Sequence, residues 1–237
     1  MPSGILGSVK WKAPGSKHAD AAVGYLLRAG IDGGGNLASA RRSAERALAA
    51  TEDPEAAIDR IITTHTSIAA AGGLVTGLGG FLTMPVALSA NVLGFHVLAT
   101  RMVAAIAAAR GHDITHEGVR TAVLLTLTGN DSTKVLSKVG IGVDGVAAFA
   151  LQSVSPAALM LVNKAVAFRL FAQLGQKGLA RFGRVVPVVG GLLGGALDGY
   201  LMHRIAEHAR AQFPPAPKAL LPGPSTHFDA SADGHPL

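Results

Sequence analysis

"GGLVTGLGGFLTMPVALSANVLGFHVLAT" (residues 72–100) lies inside a longer run, 61–100, that contains no Lys, Arg, Asp or Glu. A membrane-crossing helix needs about 20 apolar residues, so a run of this length raises the question of a bilayer at once. Six glycines, a proline, an asparagine and a histidine interrupt the quoted part. The arms on either side of Pro85, 66–84 and 86–100, are short for spanning. On a helical wheel Ser89, His96 and Thr100 share one face while Asn91 lies opposite, which leaves no broad lipid-facing stripe of large apolar residues. The spacing therefore favours a helical hairpin surrounded by protein, in a bundle that is soluble or docked on a membrane. A re-entrant or spanning hairpin is the competing reading.

The glycines carry a second expectation. Gly73, Gly77 and Gly80 follow i, i+4, i+7, and Gly191, Gly195 and Gly199 follow i, i+4, i+8. Each set lays a smooth groove along one helix face, where another backbone can come close. A helical glycine costs about 1 kcal/mol against alanine, so this many of them require close packing as compensation. The two grooves are expected to meet near the centre of the fold.

Composition agrees with a buried or membrane-associated chain. Of 237 residues, 49% are apolar and 15% charged, the latter well under the roughly 25% of ordinary globular proteins. Mean hydropathy is +0.38. The net charge of +6 favours anionic partners such as phospholipid headgroups. Nucleic acid is the weaker match, because no basic stripe is interleaved with aromatics. With no cysteine, disulfides, thiol catalysis and Cys-ligated metal centres are excluded. The first residues, MPSGILGSVKWK, show no apolar signal region.

Helical spacing dominates and period-2 strands are absent. Residues 1–18 read as a basic arm, with Lys10, Trp11, Lys12 and Lys17 as candidates for membrane-surface contact. The domain is expected over 19–213, with helices near 19–29, 37–51, from Pro54 to the glycines at 72–73 and on to Met84, then 86–110. Pro85 is expected to break the chain or to begin the second of that pair. Further helices are expected to about 128, then through Lys138, from Pro156, and near 188–212. "TEDP" and "SVSP" are helix starts, with Asp53 and Ser155 as caps and a proline at the first helical position. Residues 214–237 hold half of the prolines and read as a disordered tail.

Motifs for known chemistries mostly fail their tests. "GIGVDG" (140–145) matches a dinucleotide fingerprint by letter, yet a helix precedes it and no acid follows at the needed spacing, so it reads as a helix-ending loop. His112 and His116 stand i, i+4, but "HDITHE" reads as a solvated helix start, and no metal or other cofactor is expected. His203 and His208 default to the surface. His96, set among apolar residues, reads as a core histidine. Asn163, Lys164 and Arg169 fall in an apolar helix, and Asp198 is the only acid in another. Charges in such settings need partners, so Asp198 is expected to be buried and met by Asn163, Lys164 or Arg169, or else to cap a neighbouring helix start. Arg101 is the weaker candidate, since it follows the charge-free run and can reach solvent. A functional version of this cluster is a ligand pocket built from Asn91, His96, Asn163, Lys164, Arg169 and Asp198.

The block "AAGGLVTGLGGFLTMPVALSANVLGFHVLATRMVAAIAAARGHDI", followed by "VRTAVLLTLTGND", "VNKAVAFRLFAQLG" and "VVPVVGGLLGGALDGYLMHRIAEHAR", resembles the EcsC protein family of bacteria over about residues 55–212. The resemblance implies a cytoplasmic helical protein, associated with the inner face of the plasma membrane, and supplies no catalytic residues. The fold class expected is all-α: one glycine-rich bundle with a buried or membrane-docking hairpin. The leading functional expectation is an accessory protein at an anionic membrane surface or in a membrane complex, without catalysis. The alternative is a soluble enzyme or small-ligand protein using His96, Asn163, Lys164 and Arg169.

Overall fold

The computed structural model describes residues 21–216 apart from 22, 35–36, 52, 79, 130–131, 139, 141, 143–145, 152–153 and 182–186. The basic arm with Lys10, Trp11, Lys12 and Lys17, and the chain after Ala216, lie outside the described residues. The protein is all-α. A π-helical segment α1 (Leu27–Asp32) is followed by α2 (Ala40–Leu48), α3 (Pro54–Leu78), α4 (Gly80–Ala109) and α5 (Glu117–Thr126). Then come α6 (Ser132–Lys138), α7 (Val146–Leu151), α8 (Pro156–Arg181) and α9 (Pro187–Gln212).

Several boundaries follow from their caps. Asp53 Oδ1 accepts from the Glu55 amide, with Pro54 opening α3, and Ser155 Oγ accepts from the Ala158 amide ahead of α8. Gly111, at φ 84°, ends α4 in a Schellman turn: His112 N–H reaches the Ala107 carbonyl and Gly111 N–H the Ala108 carbonyl. One expected boundary moves. The chain is helical through Pro85, with α3 described to Leu78 and α4 from Gly80. Proline's φ suits a helix; near the start of α4 it removes one backbone hydrogen bond without ending the helix.

The second half of α4 is the core. Thr100 and every residue from 102 to 107 have no exposed surface, so this helix is covered on all sides. Around it pack α1, α2, α3, α5 and α9. Arg101 belongs to this buried segment at 9% exposure, so it does not reach solvent as its place after the run suggested.

α3 and α9 form the most extensive helix pair and run antiparallel. A Cβ added at Gly73 would lie 2.5 Å from the Gly194 carbonyl oxygen, and one at Gly194 would lie 2.7 Å from the Gly73 carbonyl oxygen. Gly195 abuts Ala70, and Gly199 faces Ala70 and Thr66. The two glycine grooves therefore meet, with Gly194 as the residue opposite Gly73.

The other end of the pair is held by Arg110. Its Nε and Nη2 donate to the Glu55 carboxylate at 2.7–3.1 Å. Its Nη1 donates to the Arg210 and Phe213 carbonyls, both at 2.7 Å. One guanidinium thus joins the end of α4, the start of α3 and the free carbonyls at the end of α9. Arg210 adds an ion pair with Asp59. The chain stays fastened just beyond α9, where His112 Nε2 donates to the Pro214 carbonyl and Ala216 N–H to the Arg110 carbonyl.

Two mutational outcomes are expected. Gly73→Ala or Gly194→Ala should cost about 2–3 kcal/mol, because backbone rather than a yielding side chain fills the space. Gly94→Ala, on the same bundle with nothing within 4 Å of its added Cβ, should instead gain about 0.5–1 kcal/mol. Urea unfolding checks the contrast; equal effects at Gly73 and Gly94 would contradict the contact.

Arg110→Ala should destabilise by about 3 kcal/mol, as charge-assisted bonds and two helix-end carbonyls are lost together. Arg110→Lys should recover less than half, since an ammonium cannot reproduce the fork. A loss below about 1 kcal/mol would reduce the clamp to an ordinary surface pair.

Candidate functional site

The α3–α9 pair changes character along its length. On the outer face of α3, Glu55, Asp59 and Arg60 give way to Thr63, Thr64 and Ser67, and then to Ile68, Leu74 and Val75, all exposed. On α9 the exposed series runs the opposite way, from Leu192, Leu193, Leu197 and Tyr200 to His203, Arg204 and Glu207. Because the helices are antiparallel, the two apolar segments lie side by side at one end. Val75 is 67% exposed, Leu192 64% and Tyr200 61%. Leu93, on α4, is exposed as well. The opposite end carries the Arg110–Glu55 and Arg210–Asp59 pairs. The amphipathic character of this pair is thus axial: its ends differ more than its faces. Large apolar side chains grouped in this way on a surface mark an interaction site. Met160 and Leu161 make a smaller exposed pair on α8.

The gap between the helices holds Asp198. It is buried, as expected, at 3% exposure, and its Oδ2 lies 2.6 Å from the position a Cβ at Gly73 would take. The missing side chain at Gly73 is the space the carboxylate occupies. Asp198 is not without a polar partner. Of the residues expected to meet it, Lys164 is exposed on α8 and Asn163 is part-buried there, and among the described residues α8 packs chiefly on α5. Arg169 is part-buried farther along α8. His96 is part-buried on α4, edge-on to Phe95 at 5.7 Å, with its carbonyl accepting from Thr100 Oγ1. The side chain of Asn91 is outside the described set.

The histidines of "HDITHE" separate. His112 is buried against Phe213, whereas His116 is the cap residue of α5. Among the described residues no three of His, Asp and Glu gather where they could hold a metal. His203 is exposed, as expected, but His208 is half-buried, because α9 turns that side toward the bundle.

A buried cationic region was not anticipated. His65, at 5% exposure on α3, donates from Nδ1 to the Ile61 carbonyl at 2.7 Å. Burial holds its pKa below the usual histidine range, and the charge of Arg101 acts in the same direction. Burial also lowers the Arg101 pKa, and among the described residues its Nε has no hydrogen-bond acceptor. The signal was present in the sequence: Arg101 is the single full charge between residues 61 and 109. An isolated cation in an apolar helix has no stretch of polar surface to turn toward.

With this geometry, the family comparison becomes specific. Residues 33–214 match the model of the EcsC protein family. The chain belongs to that family. The match covers the bundle from the turn before α2 to Pro214, just beyond α9. Neither a curated protein nor a solved structure matches this EcsC chain. The helices carrying the resemblance include the close-packed α3–α9 pair, so membership and architecture rest on the same residues.

His65 and His208 are expected to make the EcsC bundle sensitive to acid. Burial lowers the pKa of both, in His208 against the opposing effect of a hydrogen bond with the Gly129 backbone. An unfolded chain protonates both near pH 6.5. Below that pH the unfolded state takes up protons that the folded state refuses, so stability falls as pH drops from about 6.5. Urea midpoints measured between pH 7 and 5 should decline in the wild type and decline less in His65→Gln and His208→Gln. Unchanged slopes in both variants would contradict the assignment.

Proposed function

We propose that the protein is an accessory protein of an anionic membrane surface, without catalytic chemistry of its own. It seats the apolar end of the α3–α9 pair at the boundary between headgroups and acyl chains. The observation that carries this is the axial polarity of the pair. Ile68, Leu74 and Val75 meet Leu192, Leu193 and Leu197 at one end, while the ion pairs occupy the other. Burying these side chains removes apolar area from water at about 25 cal/mol per Å². Tyr200 has the amphipathic ring favoured at the interface. The net charge of +6 supplies attraction to an anionic leaflet.

The occupant of this end is taken to be lipid, for reasons of charge and shape. One window, Val92–Ala109, is apolar and long enough to span a membrane among the described residues. It is 56% buried, includes Arg101, and serves as the bundle core. End-on seating leaves that core intact, whereas spanning would require α4 to leave its neighbours. The arm with Lys10, Trp11, Lys12 and Lys17 adds about 1 kcal/mol of attraction per lysine near an anionic surface.

Flotation with vesicles tests this. The full chain should bind vesicles of phosphatidylglycerol and phosphatidylcholine more tightly than phosphatidylcholine alone, and more tightly at low salt. Val75→Ser with Leu193→Ser should weaken binding about tenfold or more while the thermal transition is retained, from lost apolar burial. Lys10, Lys12 and Lys17 to Glu should weaken it for the anionic vesicles only. Equal binding to neutral and anionic vesicles, or no effect of the apolar pair, would overturn the proposal.

A further inference from the structure

A cleft of about 220 Å³ opens between α2 and α3. Its walls carry Arg46 and Ser43 from α2 and Arg60, Thr64 and His65 from α3. No acid lines it. The nearby carboxylates are directed elsewhere, Asp59 to Arg210 and Glu55 to Arg110 and Arg210. Among the described residues neither Arg46 nor Arg60 forms an ion pair. Behind the wall, buried Arg101 is near enough to act on His65 electrostatically, and its Nε has no acceptor among the described residues. Two guanidinium forks and two hydroxyls, with a further buried cation behind them, form a donor-rich, positively charged cup. A tetrahedral oxyanion, with many acceptor positions, suits such a cup better than any neutral group.

We propose that this cleft is a phosphate-binding site, taking a phosphorylated headgroup at a membrane surface or a free phosphate ester in solution. Position along α3 supports the headgroup as a source. Arg60, Thr64 and Ile68 stand at i, i+4, i+8 on one exposed stripe, which continues toward Val75. At 1.5 Å per residue, Thr64 and Arg60 lie about 6 and 12 Å from Ile68 along the helix axis. A hydrocarbon core of about 30 Å within a bilayer of about 40–45 Å leaves headgroup layers about 5–8 Å deep. With Ile68 at the hydrocarbon edge, Thr64 lies within the headgroup layer and Arg60 about 4–7 Å beyond it, so the cleft faces the outer edge of the headgroups. The headgroup source rests on the membrane reading; the phosphate chemistry does not.

The test uses the full chain in two arms. In the first, inorganic phosphate and glycerol 3-phosphate are titrated while the ring resonances of His65 are followed by NMR. Saturable shifts are expected at millimolar concentrations, and Arg46→Gln with Arg60→Gln should weaken them about tenfold. Arg42→Gln with Arg204→Gln removes the same charge from exposed positions outside the cleft and should change the affinity less than about twofold. In the second arm, the same variants are compared on phosphatidylglycerol vesicles, where the cleft pair should lose more binding than the control pair. Phosphate shifts that persist when Val75→Ser with Leu193→Ser has abolished vesicle binding would support the site, with a free ester as its source. Vesicle binding without a His65 response to phosphate up to about 50 mM, or equal losses in cleft and control pairs, would overturn the site and leave the membrane reading standing.

Discussion

The contact of Gly73 with Gly194 sets the geometry on which the rest of the bundle depends. With no side chain on either residue, α3 and α9 approach to backbone contact, and the space above Gly73 receives the Asp198 carboxylate. Close approach increases the dispersion contacts available to small side chains such as Ala70. It also fixes the antiparallel register. That register decides which outer residues of α3 lie beside which outer residues of α9.

From the register follows the axial polarity. Each helix taken alone grades from charged to apolar along its outer face, and only one antiparallel register places the apolar ends together. Arg110 holds the opposite end by using its fork on Glu55 and on two carbonyls that α9 cannot satisfy itself. A close-packed apolar end and a clamped polar end are thus mechanically one unit. The exposed leucines and valine are carried on helices rather than on loops, which fixes their arrangement relative to one another.

The charge held inside the bundle has a different origin. Arg101 and His65 lie where α4 and α3 are covered by their neighbours, so burial lowers the pKa of both. Folding retains an expensive cation there with no ion pair among the described residues, and the α2–α3 cleft places further cations in front of it. An arriving anion would relieve that cost. The same electrostatics link the acid sensitivity of the fold to the proposed phosphate chemistry.

Helices, caps and family were legible in the residues themselves. "TEDP" and "SVSP" name their own helix starts, Gly111 ends α4, and the spacing of Gly73 and of Gly191, Gly195 and Gly199 foretells two grooves that meet. These signals are local: each depends on residues within one or two turns. The burial of Arg101 and the half-burial of His208 were not legible, because each depends on which elements cover that point of the chain. Lys164 and Asp198 look alike in sequence, as single charges in apolar helices. Packing leaves the first exposed on α8 and buries the second against Gly73. The cleft of Arg46, Arg60 and His65 is likewise invisible along the chain, since its walls belong to two helices. Sequence alone determined what each helix is; the register of one helix against another decided which of its residues face outward and which meet each other, because burial is a property of pairs of surfaces.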